Sequence, residues 1–163
     1  MAEHLTLNQR VEGSSPSWPR GKKEMADFEL IEHTADIGVR VYGKDLPELF
    51  RNSAIALFSL ITDFKPQPKK EQRIKLHTQT WEDLLVTWLN ELISNFFTRE
   101  FLPHSYKIII HENKEKELDA VVKGEDFSPY KKKINLEVKA ATYHNLKIER
   151  DERGVKAEII FDV

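Results

Sequence analysis

Apolar residues fall into two distinct rhythms along this chain. Ile37, Val39 and Val41 recur at every second position, the period of a half-buried strand, and Phe28–Glu32 before them is a short run rich in branched and aromatic residues. From Leu46 the rhythm changes. Leu46, Leu49, Phe50, Leu57, Phe58 and Ile61 recur at three- and four-residue spacings, which predicts an amphipathic helix. Asp45, Pro47 and Glu48 suit its start: a capping carboxylate, a proline tolerated in the first turn and the acidic partner of a capping box. Pro66 and Pro68 lie beyond its end. After a strand around Arg73–His77, Thr80-Trp81-Glu82-Asp83 opens a second helix. Its stripe of Leu85, Trp88, Leu89, Leu92, Ile93 and Phe96 carries it to about Glu100.

From Ser105 onward the pattern is strand after strand. Tyr106–His111, Leu118–Lys123, Ile134–Thr142, Leu146–Arg150 and Val155–Asp162 all fit, and Asp151-Glu152-Arg153-Gly154 makes a hairpin turn between the last two. Two helices among about eight strands predict an α+β fold. Its expected form is a two-layer sandwich, with the two main helices packed on one face of a largely antiparallel or mixed β-sheet. No internal repeat is visible.

The first 24 residues do not share these rhythms. Gly13-Ser14-Ser15-Pro16-Ser17-Trp18-Pro19 propagates neither helix nor strand, so residues 1–24 are expected to be a disordered extension to a single domain spanning 25–163. A sharper reading stands beside it. Gly-Ser-Ser-Pro is also what the T-arm of a tRNA gene would encode, which would make Met25 the true start.

Composition narrows the chemistry. The chain has 163 residues and no cysteine, which excludes disulfides, thiolate nucleophiles and Cys-based zinc sites. Lys and Arg total 25 against 27 Asp and Glu, so tight binding to nucleic acid through phosphates is not expected. No run approaches the roughly 18 apolar residues of a membrane span, and no secretory signal is visible. A cytoplasmic location is the expectation. Walker A, G-x-G-x-x-G and H-E-x-x-H sequences are absent, and no two histidines have a spacing that places both on one helical face.

Three segments could carry chemistry. Glu32-His33-Thr34-Ala35-Asp36-Ile37-Gly38 sets polar residues between two strand-like runs, and would otherwise be a polar turn bonded to its own backbone. Val155, Ala157, Ile159 and Phe161 alternate to the end of the chain. Asp162 therefore takes the face opposite Phe161, with the α-carboxylate of Val163 beside it. Two such carboxylates repel unless a cation or basic group neutralises them; the alternative is a solvated end. In the third segment Val138 and Ala140 continue the apolar face of Ile134 and Leu136, so Lys139 projects from the other face. An isolated strand lysine is commonly just solvated. The Lys131-Lys132-Lys133 run reads as a solvated loop that could also dock something acidic.

Together these segments resemble the archease family. The similarity rests on Glu-His-Thr-Ala-Asp-Ile-Gly at 32–38, on Lys-Ala-Ala-Thr-Tyr-His-Asn-Leu at 139–146, and on a terminal Ile-Ile-Phe-Asp-Val, with the Trp81–Phe97 helix in support. It spans about Phe28 to Val163. The resemblance implies a protein cofactor, not an enzyme, that activates an RtcB-type RNA ligase in tRNA splicing. Such a protein promotes GTP-dependent guanylylation of the ligase and its multiple turnover. The resemblance also implies a metal site formed by Asp36, Asp162 and the terminal carboxylate of Val163. Lys139 matches a residue important for activity, and His33 and Thr34 are assigned with it to partner contact. An all-oxygen site suits one divalent hard cation, Ca²⁺ first, with Mg²⁺ and Mn²⁺ as alternatives. The rivals are a small metal-dependent hydrolase with His33 as base, and a general chaperone or binding module whose metal is structural.

Overall fold

The starts of both helices are fixed by local side-chain bonds. Asp45 Oδ1 accepts the Glu48 amide at 3.0 Å at the head of α1 (Leu46–Ile61), and Glu48 reaches back to accept the Lys44 amide at 2.7 Å. Thr80 Oγ1 accepts the Asp83 amide at 3.0 Å at the head of α2 (Trp81–Thr98). Each bond satisfies an amide that the helix itself leaves unpaired. Both helices turn their apolar stripes inward. Leu49, Phe50, Leu57 and Ile61 of α1 and Leu85, Trp88, Leu89 and Phe96 of α2 are fully buried. The Trp88 indole donates to the Phe50 carbonyl at 3.1 Å, which joins the two helices by a buried hydrogen bond.

The computed structural model of the chain describes residues 27–31 and 36–163. The expected extension at 1–24, together with Met25, lies outside these, as do His33 and Thr34. The described strands are β1 (Phe28–Ile31), β2 (Ile37–Gly43), β3 (Lys70–Thr78), β4 (Phe101–Glu112), β5 (Lys116–Asp126), β6 (Ala140–Thr142), β7 (Ile148–Asp151) and β8 (Gly154–Asp162). The fold is α+β, and every strand pairing is antiparallel.

The strands divide between two sheets. One has the order β1-β2-β8-β6, with β7 also paired to β8; the other has the order β3-β5-β4. Each helix touches both sheets: α1 packs on β2, β8 and β4, and α2 on β6, β3, β4 and β5. The core lies where these faces meet, and Val39, Val41, Val122, Ile159 and Phe161 are fully sealed within it.

One expected strand is largely absent. Ile134–Thr142 contributes only Ala140–Thr142 to a sheet. Ile134 and Leu136 do pack against the core and Val138 is buried, but the Asn135 amide bonds the Ile61 carbonyl at the end of α1. The segment is held by a helix end instead of a neighbouring strand. The buried phase also slips, since Ala141 and not Ala140 is the next buried residue after Val138. Conversely, β4 starts well before the expected Tyr106. Phe101, Leu102 and Pro103 are all buried and pair with β5 up to an irregularity between Pro103 and Ser105.

The turn between β7 and β8 is as expected, with Asp151 paired to Gly154 and the Arg153 amide bonded to Asp151 Oδ1 at 2.7 Å. Gly154 has φ +141°, and a Cβ there would run into the Gly43 carbonyl, so glycine is required.

Trp88 is the largest fully buried side chain and also carries the bond between the helices. Trp88→Ala is expected to lower the unfolding free energy by about 3–5 kcal/mol, measured by urea denaturation at an unchanged m value.

Candidate functional site

Strand β8 has a neighbour on each side at its final residues. On one side the β2 register ends at Ile37 opposite Phe161. Asp36 directly precedes β2 and Asp162 directly follows Phe161, so both lie beyond the last pair of this register. On the other side Ala140 of β6 pairs with Asp162, and the Lys139 amide donates to the Asp162 carbonyl at 2.8 Å. Asp36, Asp162, Val163 and Lys139 thus share one end of the β2–β8–β6 sheet, where adjacent strands run about 4.8 Å apart.

The neighbours of these residues explain their placement. Phe161 is fully buried and Val163 packs at the edge of the core. Asp162 between them is exposed, because successive side chains of a strand point to opposite faces. Lys139 is exposed next to buried Val138. Asp36 is half-buried and engaged with its surroundings. Two side-chain carboxylates and the chain's own carboxylate make an oxygen-only donor set, which fits a hard divalent cation better than a soft one. Among the described residues no group of three or more His, Cys, Asp or Glu side chains is placed to hold a metal ion.

The short β6 strand is held from its other side by a residue that periodicity did not single out. Asn90 of α2 accepts the Ala141 amide at 2.8 Å and donates to the Ala141 carbonyl at 3.2 Å. Its only signal in sequence is an amide beside the apolar stripe of α2, at Leu89-Asn90. One helical stretch nearer the start of α2, Glu82 accepts the Ile148 amide of β7 at 2.9 Å.

The outer face of the same sheet carries a second polar group. Glu29 is a buried carboxylate, 5% exposed, and it accepts from the Arg40 guanidinium at 3.0 Å and the Tyr42 hydroxyl at 2.9 Å. Arg40 also binds Glu158 at 2.6 and 2.8 Å. Partial burial works against the Arg40 charge, but the bonds from Glu158 and Glu29 hold its pKa above the ordinary value. Burial, and then the bond to the Glu29 carboxylate, push the Tyr42 phenol up to about 12. Between this network and the carboxylate end, Ile31 and Ile160 close over Gly38. A Cβ at Gly38 would meet Ile31 Cγ1 at 2.8 Å and Ile160 Cδ1 at 3.1 Å.

The sequence model of the archease protein family matches residues 28–163. A protein archease of Sulfurisphaera tokodaii is 40% identical over 77% of this chain and 90% of its own length. One from Methanosarcina acetivorans is 35% identical over 88% of this chain and 98% of its own. Among solved structures, Methanobacterium thermoautotrophicum protein 1598 is similar with a TM-score of 0.72 at 30% identity, covering 83% of this chain and 98% of that one. An archease from Thermotoga maritima, described as a possible chaperone, has a TM-score of 0.55 at 26% identity, covering 82% of this chain and 94% of that one.

The Tyr42 shift has a consequence for stability. Its phenol ionises near 10 in the unfolded chain and at about 12 in the fold, so the unfolded state loses its proton first. The stabilisation is full below pH 10 and is lost as pH rises from there through 12. Urea denaturation across that window should show a steeper loss of stability in the native sequence than in Tyr42→Phe, which has no phenol to titrate.

Proposed function

The chain belongs to the archease family, and on that footing we propose that it is a non-catalytic activator of an RtcB-type RNA ligase in tRNA splicing. It acts in the cytoplasm by promoting the ligase's GTP-dependent guanylylation and multiple turnover. The observation that carries the reading is that Asp36, Asp162, Val163 and Lys139 lie at one end of a single sheet. These are the residues on which the family's motifs fall. Support also comes from what the sequence lacks: no motif for binding a nucleotide or for holding a hydrolytic metal through histidines is present.

On this reading Asp36, Asp162 and the Val163 carboxylate hold one divalent cation, with Ca²⁺, Mg²⁺ or Mn²⁺ suited to their oxygens. When bound, the ion supplies positive charge that can offset phosphate during guanylyl transfer on the ligase. The protein's own part is placement. The buried Phe161 side chain and the Lys139–Asp162 backbone bond hold the last strand in the sheet, which keeps the exposed Asp162 at that end. Lys139, exposed directly before the flanking strand β6, contacts the ligase, and His33 and Thr34 of the first motif are assigned to the same contact. The partner is a protein, and tight binding of RNA by this chain alone is not part of the reading.

The chaperone description of the Thermotoga relative offers a second reading that one assay separates. An activator raises RNA sealing by its cognate ligase at substoichiometric amounts and leaves aggregation of unrelated proteins unchanged. A chaperone does the reverse. Sealing of RNA or hydrolysis of GTP by this chain alone would exclude both and favour an enzyme.

Two variant sets test the site. Asp36→Asn, Asp162→Asn and a glycine appended after Val163 should each weaken Mn²⁺ binding by more than about tenfold. Even outer-shell changes around a metal cost that much. Ligase activation should fall in parallel, measured by calorimetry beside the ligation assay. Binding and activation unchanged by the added glycine would remove the terminal carboxylate from the site. Lys139→Ala should reduce activation while shifting stability by no more than about 0.5 kcal/mol, as for other exposed substitutions; an unfolded variant would assign Lys139 to structure instead.

A further inference from the structure

The three-residue strand β6 pairs with β8 along one edge only. On its other edge Ala141 is buried, 4% exposed, so its outward backbone groups cannot turn to water. An unpaired buried amide and carbonyl are rarely left in native structures. Here both are taken by one side chain. Asn90 accepts the Ala141 amide at 2.8 Å and donates to the Ala141 carbonyl at 3.2 Å. A neighbouring strand would offer Ala141 the same donor and acceptor, so the carboxamide replaces that strand.

The bond pair acts beyond β6. Lys139 directly precedes the strand, and its amide holds the Asp162 carbonyl at 2.8 Å. Ala140 pairs with Asp162, and Thr142 Oγ1 donates to the Ile160 carbonyl at 3.0 Å. The β2 register ends one residue earlier, at Phe161. Asp162 thus takes backbone partners from Lys139 and β6, and β6 is bonded on its other side by Asn90.

The segment after β6 has holds of its own. The Leu146 amide bonds the Tyr143 carbonyl at 3.0 Å across a turn with Asn145 at φ +53°, and Glu82 takes the Ile148 amide. Neither hold reaches Ala141.

We propose that Asn90 is a positioning residue: from the middle of α2 it clamps β6, and through β6 it fixes Asp162 and the chain terminus at the carboxylate end of the sheet. The proposal rests on the carboxylate site put forward above, and its test keeps the two apart. Full-length protein carrying Asn90→Leu retains side-chain bulk but loses both bonds to Ala141. Ile93→Val, a mild core change on the same helix, serves as the control for lost stability.

Amide hydrogen exchange at Lys139, read by NMR without metal, tests the clamp. Protection should fall by about tenfold or more in Asn90→Leu, the scale of losing one or two buried hydrogen bonds, and should hold in Ile93→Val. Titration with Mn²⁺ alone tests the consequence, and apparent affinity should fall by about tenfold in Asn90→Leu only. Unchanged protection at Lys139 overturns the proposal. So does faster exchange with undiminished Mn²⁺ affinity, which would make Asn90 merely structural. If the native protein takes up no Mn²⁺, the carboxylate site falls. Exchange at Lys139 then decides the clamp alone: lost protection upholds Asn90 as the anchor of the terminus, and retained protection refutes it.

Discussion

The end of the sheet that carries Asp162 and Val163 depends on β8 being bonded along both edges. Strand ends fray when their last residues have a partner on one side only, because the entropy of fixing each residue is of the same order as the hydrogen bonds it gains. Here β2 lies on one side and β6 and β7 on the other. Ile159, Ile160 and Phe161 are all buried, so the strand is gripped on both faces as well as both edges. Asp162 follows a residue that cannot move without opening the core, which fixes where its carboxylate begins.

The outer face of the sheet shows which polar contacts matter energetically. The Arg40–Glu158 pair is largely open to solvent, and exposed pairs contribute about 0–1 kcal/mol. Glu29 is different because its side chain is only 6% exposed. Removing the partner of a buried charge costs about 3–5 kcal/mol, since the charge stays behind without compensation. Arg40 thus stabilises mainly by neutralising Glu29, and Tyr42 completes the carboxylate's bonding. The network ties β1 to β2, and Asp36 directly precedes β2.

Legibility in the sequence followed the range of the interaction. The helix starts at Asp45 and Thr80 were readable because cap and helix lie within four residues of each other. The inward face of β8 was readable because period two needs no knowledge of the partner. Ile134–Val138 misled for the same reason. One buried side also produces alternation in an extended segment that bonds a helix end, as the Asn135–Ile61 contact shows. Phe101–Pro103 carries no strand signal of its own, because three consecutive buried residues do not alternate and a proline inside a strand gives up a ladder bond. Ile160 was missed because it is buried on the face that should have been polar, where it closes over Gly38 with Ile31. At the site, the residue types came from motif resemblance. That Asp36 and Asp162 lie at the same end of the sheet follows from the register between β2 and β8, strands from opposite ends of the chain, which no local pattern encodes. Asn90 was hidden for a further reason. Its role is to meet two backbone groups, and backbone groups leave no trace in a sequence.

The terminus is close to energetic balance, and that makes charge decisive there. Ordering Asp162 and Val163 costs about 1–2 kcal/mol of backbone entropy each. Against this stand the Lys139–Asp162 bond, worth about 1 kcal/mol, and the partial burial of Val163 against the core. Asp162 itself buries little, being exposed. The two sides differ by no more than a few kcal/mol. On the proposed reading, in which Asp36, Asp162 and the α-carboxylate share one ion, their mutual repulsion would favour fraying and the bound cation would offset it by the same Coulombic route. Burial fixes the strand up to Phe161; beyond it one backbone bond and the packing of Val163 hold the end.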